Sequence, residues 1–345
     1  MTLKDPGKTQ VLGVLGSSRV PGALGFSPDA GQTTHGSGAA RFPGPLGIGP
    51  SILLMDSTVV KAAPKPPKMP PPLHDRTKRV HVVTWDLGNS PPHPTEVLQG
   101  GLANCPVASI LAAMANTPAG ADRISKKVKE LPGDVVTDLS DVMKELDDAK
   151  DDEGQYEWKD RPNGSLLSKR SFTVDLPGIK QQVSDVFYTD QFDQNWDLIY
   201  MGVQGIRRDK GIKPVLWPSV IEKAYALQLG GYDKLDAVNN PEVAWRALVG
   251  PSYTSKQVEN LKDQDITMRV QTARQTPTIA ATRDDRNDKT SVETESKGKL
   301  EGWHGYAVLG LDGGQITLYD PHGKSFPVSL AEFKKFFTTI AYGAI

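Results

Sequence analysis

The first 75 residues differ in composition from the rest of the chain, and that break limits where a folded core can form. Glycine and proline recur every few residues through 41–50, and 65–72 is a polyproline stretch. Such a segment buries too little apolar surface to offset the entropy lost when it becomes ordered. We therefore predict a disordered Gly/Pro-rich leader over residues 1–75 and one folded unit over residues 76–345.

The charge and the distribution of apolar residues exclude several classes of protein. A net charge of −1 at pH 7 lacks the basic footprint of a nucleic-acid-binding protein. No apolar run reaches the roughly 20 residues of a transmembrane helix, and the N-terminus lacks the continuous apolar segment of a cleaved signal peptide. We expect a cytoplasmic protein without a membrane span, or one exported without a cleaved signal.

Hydrophobic periodicity and turn residues predict helices around the single cysteine and an antiparallel sheet near the C-terminus. Residues 106–116 are small and apolar, with Pro106 suited to the first helical turn. A hairpin over 306–319 has its turn at Gly313-Gly314. The other predicted elements are strands at 80–85, 278–282 and within 156–188 around an Asn163-Gly164 turn, and helices at 138–150, 217–229, 241–249 and 329–337. This order predicts an α+β fold.

Cys105 directly precedes a predicted helix, in Gln99-Gly-Gly-Leu-Ala-Asn-Cys105-Pro. A helix N-terminus and a nearby imidazole both favour the thiolate, which is the nucleophilic form of cysteine. Gln99 could donate its side-chain amide to an oxyanion beside the backbone N–H of Cys105. The alternative is that Cys105 is an inert, buried small hydrophobe, as lone cysteines often are.

His304 and Asp320 are the candidate partners of this cysteine. His304 begins the first strand of the predicted hairpin, in Gly302-Trp-His304-Gly, and Asp320 ends the second. Antiparallel strands place these two positions at the same end of the sheet, where Asp320 could orient the imidazole through its Nδ1–H. Taken singly, a histidine at a strand start is more often structural, and Asp320-Pro is a common turn initiator.

The motifs resemble those of the calpain family of papain-fold cysteine proteases, over about residues 80–345. Gln99, Gly100 and Cys105 match the pattern around the family's nucleophile. The run Leu216-Trp-Pro-Ser-Val-Ile-Glu-Lys-Ala-Tyr-Ala226 looks like the family's Trp and Glu-Lys-Ala-Tyr helix, which is scaffold there. His304-Gly-Tyr-Ala-Val308 and Asp320-Pro-His-Gly323 are similar to its His-x-Tyr-x-Val and Asn-Pro-Trp-Gly motifs.

Four positions depart from that family pattern. Pro106 stands where calpains usually have Trp, and Ala103 replaces a glycine. Asp320 stands for the usual Asn, and other papain-like branches use Asp to orient the histidine. His322 replaces a tryptophan that shields the His–Asn bond in the family. An intact Cys–His–Asp set is therefore expected, with altered shielding.

The resemblance implies a two-lobed, papain-like protease core. A helical lobe over about 80–235 would carry the cysteine, and an antiparallel β lobe over about 236–345 would carry the histidine and aspartate. Animal calpains bind calcium, but no EF-hand loop is present here, and the acidic stretch 147–153 is typical of a solvated helix end. We therefore expect no cofactor and no metal.

Three functions compete on this evidence. The first is a calpain-like endopeptidase that cleaves protein substrates through a thioester acyl-enzyme. The second is a transglutaminase- or deamidase-like acyl transferase, because Cys–His–Asp also suits that chemistry. The third is a catalytically inactive calpain-like binding module.

The biological setting is a separate expectation. A Gly/Pro-rich leader before a bare protease resembles bacterial toxin effectors delivered by an injection apparatus, which predicts a cognate inhibitor or a secretion-apparatus component as partner. The leader could equally be an inhibitory prosegment or a spacer. The polar loop 283–299, just before His304, could gate the cleft.

Overall fold

The computed structural model describes residues 66–70, 79–88, 91–140, 165–192, 195–198, 200–202, 215–283, 292–293 and 299–345. All of them belong to one compact unit, Ala62–Ile345. Most of the predicted leader lies outside the described residues, as do the Asn163-Gly164 turn, most of the acidic segment 138–150 and most of the loop 283–299.

The end of the predicted leader packs against the folded unit. Met69 is fully buried in the main hydrophobic core, Lys68 pairs with Asp138 in a β-bridge, and the Tyr188 hydroxyl donates to the Pro70 carbonyl over 2.8 Å. The prediction of disorder up to residue 75 is therefore wrong for 66–70. Burial of Met69 in the core, together with the bridge to Asp138 and the bond from Tyr188, holds this segment against the folded unit.

The described residues form seven helices and fourteen strands. The helices are α1 (Cys105–Ala115), α2 (Pro118–Lys127), α3 (Trp217–Leu229), α4 (Tyr232–Asp236), α5 (Pro241–Leu248), α6 (Asp263–Gln271) and α7 (Leu330–Phe336). The strands are β1 (Arg79–Val82), β2 (Val128–Asp138), β3 (Ser165–Leu176), β4 (Ile179–Ser184), β5 (Val186–Phe192), β6 (Asn195–Leu198), β7 (Thr254–Gln257), β8 (Thr278–Thr282), β9 (Val292–Glu293), β10 (Lys299–Leu300), β11 (Gly305–Asp312), β12 (Gln315–Asp320), β13 (Lys324–Val328) and β14 (Phe337–Tyr342). Short 3-10 turns lie at Pro94–Glu96, Val258–Asn260 and Thr272–Arg274.

The largest sheet has six antiparallel strands in the order β13-β12-β11-β8-β14-β7. Two three-stranded antiparallel sheets, β2-β3-β4 and β1-β5-β6, and the small pair β10-β9 complete the strands. Mixed helices and antiparallel sheets confirm the α+β prediction. In the six-stranded sheet Ala307 pairs with Tyr319, so the start of β11 and the end of β12 lie at the same end of the strands.

Helix α1 is buried along its whole length and packs against β11 and α5. Because all of its faces are apolar, its sequence has no polar stripe that could face water. Helix α3 ends at Gly230, whose φ of 97° is the left-handed conformation that glycine adopts without strain. Helix α7 begins after Ser329, which forms a capping box with Glu332.

Most predicted elements are confirmed with small shifts at their ends. The helices predicted at 106–116, 217–229, 241–249 and 329–337 correspond to α1, α3, α5 and α7, and the strand at 278–282 is β8. The strand predicted at 80–85 ends at Val82, and Asp138, predicted to begin a helix, ends strand β2. No helix among the described residues is long and apolar enough to cross a bilayer.

Candidate active site

Cys105 is the first residue of α1, and buried hydrogen bonds hold the turn that leads into it. Asn104 is fully buried, and its carbonyl accepts the N–H groups of Val107 at 2.9 Å and Ala108 at 3.2 Å. The thiol itself is partly exposed. N–H groups at a helix start have no acceptor within the helix and carry partial positive charge, so they favour an anion at this position.

A buried carboxyl group anchors that turn. Glu222, 1% exposed on α3, accepts the Asn104 side-chain N–H at 2.8 Å through Oε1 and the Met201 backbone N–H at 2.7 Å through Oε2. Burial raises the pKa of Glu222 to about 7. The interpretation of the Glu-Lys-Ala-Tyr run as scaffold missed this link, although two adjacent charged residues on a largely apolar helix indicate buried polar contacts.

His304 and Asp320 meet where β11 begins and β12 ends in the six-stranded sheet. Their side chains are both buried, and His304 Nε2 lies 3.0 Å from Asp320 Oδ1. The expected contact of the carboxylate with Nδ1–H is therefore wrong, because Asp320 binds the imidazole at Nε2. Nδ1 is then the nitrogen left for the cysteine.

The pKa values of this pair move apart. Burial lowers the pKa of His304, but the hydrogen bond with Asp320 and the nearby Cys105 side chain outweigh that effect and raise the pKa to about 9. Burial likewise raises the pKa of Asp320, but hydrogen bonds from His304 and His322 hold it well below its usual range. At neutral pH the imidazole is therefore protonated and the carboxylate is ionised.

A close approach between β11 and α1 brings the histidine to the cysteine. A Cβ on Gly305 would lie 3.0 Å from Ser109 Oγ and 3.4 Å from the Cys105 carbonyl oxygen. Glycine at this position lets the strand start close against the helix, and a Cβ there would require Ser109 to shift by a few tenths of an ångström. The Trp303 carbonyl oxygen lies 4.0 Å from Cys105 Sγ on the same side.

His322 covers the His304–Asp320 hydrogen bond. Its ring is nearly parallel to the His304 ring, with centroids 4.9 Å apart and planes 8° apart. Its backbone N–H donates to Asp320 Oδ1 at 2.8 Å, and its Nδ1 lies 3.2 Å from the same oxygen. The ring thus occupies the side of the pair that a shielding tryptophan would cover in the family pattern.

Glu301, His304 and His322 offer nitrogen and oxygen atoms within 4.8 Å of one another, the one such group of possible metal ligands that the described residues form. The lone pair of an imidazole nitrogen lies in the ring plane. Because the two rings are stacked in parallel, their lone pairs do not converge on a common point. In this arrangement the three residues do not form a coordination site.

Gln99 lies in the loop before the cysteine but turns its side chain towards that loop. Its Nε2 donates to the Leu102 carbonyl at 2.7 Å, and its backbone N–H donates to the Pro321 carbonyl at 2.9 Å. The glycine after it is required by packing, because a Cβ on Gly100 would lie 1.9 Å from the Tyr200 carbonyl oxygen. One N–H of the Gln99 amide is left for another acceptor.

A cavity of about 690 Å³ opens beside Cys105 and His304. Residues of α1, of the six-stranded sheet and of the start of α5 line it. The apolar ones include Pro106, Pro241, Ile279 and Trp303. No Asp, Glu, Lys or Arg side chain is among the described residues that line it, nor is Gln99. The cysteine and histidine therefore face a largely uncharged cleft.

Comparison with known proteins gives one match to a family. The family model described as calpain family cysteine protease matches residues 181–325, which include α3, His304 and Asp320 but not Cys105. The match over this part of the chain supports a calpain-like catalytic core. This family assignment indicates a cysteine-type peptidase, in agreement with the resemblance drawn from the motifs. A search of curated proteins found no match.

Proposed function

We propose that the calpain-like core is an endopeptidase that hydrolyses peptide bonds through a thioester acyl-enzyme, with Cys105 as nucleophile. The observation that carries the proposal is a partly exposed thiol at a helix N-terminus, in the same cleft as a buried histidine whose Nε2 lies 3.0 Å from Asp320 Oδ1. This is the arrangement that nucleophilic catalysis by cysteine requires. The papain-like division into a helical, Cys105-bearing lobe and a β lobe with His304 and Asp320 is part of the proposal.

In the proposed reaction the Cys105 thiolate attacks the carbonyl carbon of the scissile bond. His304, protonated because its pKa is raised to about 9, gives its proton to the leaving amine as the C–N bond breaks. The neutral imidazole then takes a proton from water as the oxygen of that water attacks the thioester carbonyl, and the C–S bond breaks to release the carboxylic acid, the Cys105 thiolate and the protonated imidazole. Asp320 holds the imidazole by Nε2 throughout.

The oxyanion of each tetrahedral intermediate would be bound near the start of α1. The backbone N–H of Cys105 is one donor, because N–H groups in the first helical turn lack intrahelical acceptors. Gln99 is the proposed second donor, but its amide donates to the Leu102 carbonyl and it does not line the cleft, so its side chain would have to turn towards the oxyanion.

Covalent labelling tests the proposal directly. The full-length protein is incubated near neutral pH with a peptidyl epoxide that alkylates activated thiolates, and the intact mass is followed over time. We expect one addition, absent in Cys105→Ala and at least 100-fold slower in His304→Ala. Turnover of an unstructured protein substrate should be lost in both variants.

Other outcomes would replace the proposal. A folded protein that is neither labelled nor active would favour the inactive binding module. Glutamine modification without peptide cleavage would favour the acyl transferase. Calcium-independent activity is part of the proposal, and turnover that is lost with a chelator and restored by calcium would contradict it. The effector role, its partners and the localisation depend on the leader, which lies almost wholly outside the described residues.

A further inference from the structure

The segment that carries His304 lies outside strand β11, and its backbone is strained. β11 begins at Gly305, and the residue before the histidine, Trp303, has a φ of 55°. No other non-glycine residue in the described ranges has a positive φ. Such a conformation persists only where surrounding contacts hold it, so the position of the imidazole depends on the bonds made to residues 301–304.

Thr282, the last residue of β8, holds this segment with its side-chain hydroxyl. Its Oγ1 accepts the His304 N–H at 3.0 Å and donates to the Glu301 carbonyl at 2.7 Å. The His304 carbonyl oxygen lies 3.2 Å from the same atom. A hydroxyl has one proton to donate, and the shorter contact assigns it to Glu301. One hydroxyl therefore joins the two ends of the strained segment.

This hydroxyl takes the place of a backbone carbonyl in the ladder between β8 and β11. Gly305 pairs with Ala281, so the next pair along the register is His304 with Thr282. Hydrogen-bonded residues of a regular antiparallel pair exchange two N–H···O=C bonds. Here the Thr282 N–H donates to the His304 carbonyl at 3.0 Å, but the His304 N–H donates to the Thr282 side chain. The hydroxyl thus lets the chain leave the ladder at the histidine with its backbone donor still paired.

Burial makes this hydroxyl hard to replace. Thr282 is 8% exposed and His304 is 6% exposed, so little water can reach the groups that the hydroxyl binds. The other end of the segment has a second support, because the Tyr306 hydroxyl accepts the Glu301 N–H at 2.7 Å. Loss of the Thr282 hydroxyl would therefore release mainly the histidine end.

We propose that Thr282 is a positioning residue whose hydroxyl fixes the backbone of His304, so that the imidazole keeps its hydrogen bond with Asp320 and its place beside Cys105. The proposal deepens the proposed function and rests on it. Thr282 also lines the cleft, but its one proton is used by the Glu301 carbonyl. It therefore acts through the histidine and not on the substrate.

The test measures kcat and KM for fluorescein-labelled casein with the full-length protein. Thr282→Val keeps the branched shape of the side chain without the hydroxyl, and Thr282→Ser keeps the hydroxyl without the methyl group. In Thr282→Val we expect kcat to fall roughly 10–100-fold with KM within about 3-fold of wild type, because the imidazole is displaced while the substrate contacts remain. Thr282→Ser should retain kcat within about 3-fold, because the hydroxyl still binds His304.

Thr278→Val is the matched control. Thr278 begins the same strand, is 1% exposed and donates from its hydroxyl to the Thr276 carbonyl at 2.9 Å, but it does not line the cleft. The variant should lose thermal stability, whereas its kcat and KM should stay within about 2-fold of wild type. A kcat loss as large as that of Thr282→Val would attribute the effect to a loosened β8 and would overturn the proposal.

The remaining outcomes separate the positioning role from other roles. A loss confined to KM would make Thr282 a substrate contact, and equal losses of kcat in Thr282→Val and Thr282→Ser would show that the hydroxyl is not the acting group. Either result overturns the proposal. If Thr282→Val does not fold, Thr282→Ala removes the same hydroxyl and leaves space for water, and an unchanged kcat there would also overturn it. A wild-type protein with neither epoxide labelling nor casein turnover would instead overturn the proposed function.

Discussion

The cysteine side and the histidine side of the candidate active site are held by different interactions. Cys105 begins a helix whose other residues are all buried, and a hydrogen bond between neutral Asn104 and Glu222 anchors its start. His304 precedes a strand and is held by a buried charge pair with Asp320. The cysteine side therefore depends on packing and one buried carboxyl group, whereas the histidine side depends on opposite charges.

The two sides respond to pH in adjacent windows. Glu222 has a pKa raised from 4.5 to about 7, so the folded state loses stability as pH rises between those values. His304 has a pKa raised from 6.5 to about 9, so its contribution is complete below 6.5 and is lost as pH rises through 9. Rising pH should therefore weaken the cysteine side first and the histidine side second.

The largest effect is expected from removing the charge partner of the histidine. Asp320→Ala leaves a buried imidazolium without its carboxylate, which should lower the free energy of unfolding by about 3–5 kcal/mol. Turnover should fall by roughly 10²–10⁴-fold, because the imidazole is no longer held in orientation. Denaturant unfolding and the rate of epoxide labelling measure the two effects.

Asp320→Asn is the matched control for that variant. The amide oxygen still accepts from Nε2–H, but the negative charge is gone, so the histidine should keep its orientation and lose its raised pKa. We expect activity well above that of Asp320→Ala, with a labelling optimum at lower pH. Equal losses in the two variants would mean that charge, and not orientation, is the contribution of Asp320.

The next effect is the pH dependence of stability on the histidine side. Raising the pKa of His304 from 6.5 to about 9 corresponds to a contribution on the order of 3 kcal/mol, present at pH 6 and lost by pH 10. The difference in unfolding free energy between wild type and Asp320→Asn should shrink over that range. The two proteins must be compared with each other because buried Lys223 also titrates in this range. Its pKa is lowered to about 7, so its contribution raises the free energy of unfolding as pH rises above 7, in both proteins alike.

A smaller effect is expected on the cysteine side. In Glu222→Gln one oxygen can still accept from Asn104, but an amide N–H2 then faces the Met201 N–H, so two donors meet in a buried site. We expect a loss of about 1–3 kcal/mol and slower labelling of Cys105. The stability lost between pH 4.5 and 7 in wild type should be absent in the variant.

Glu242→Gln is the control for the glutamate substitution. Glu242 pairs with Arg246 on the surface of α5, where both side chains are about half exposed. Its loss should change the unfolding free energy by less than about 1 kcal/mol and leave labelling unchanged. A similar change in labelling in both variants would show that Glu222 does not act on the nucleophile turn.

The sequence predicted those parts of the site that depend on local patterns. Periodicity and turn residues within short windows were enough for three features. These are the position of Cys105 before a helix, the hairpin that joins His304 to Asp320, and the helix that begins at Trp217 and is ended by Gly230. The Asn104–Glu222 hydrogen bond joins residues 118 positions apart, and no local pattern encodes such a contact.

Atomic detail and backbone strain were also beyond the sequence. The nitrogen of His304 that faces Asp320 depends on the rotation of the imidazole ring, which the sequence does not encode. The positive φ of Trp303 contradicts the preference of its residue type, so tertiary structure overrides local propensity there. Met69 was assigned to the leader because its neighbours are prolines, whereas its burial and the bridge to Asp138 place this segment on the folded unit.

The smallest effect is expected at His322, whose ring covers the His304–Asp320 pair and whose Nδ1 lies 3.2 Å from Asp320 Oδ1. In His322→Ala the stacked ring is lost, but the backbone N–H to Asp320 remains, so the His304–Asp320 pair should stay intact. Water then reaches the pair and weakens its attraction. We expect labelling about 3–10-fold slower and a loss of roughly 1 kcal/mol in the free energy of unfolding.

His322→Trp is the matched control, because tryptophan is the ring type of the family pattern. Its flat side chain again covers the pair, and labelling should return to within about 2-fold of wild type. A His322→Trp variant as slow as His322→Ala would show that His322 acts through its own ring nitrogen on Asp320, and would make it part of the charge cluster that distinguishes the histidine side from the cysteine side.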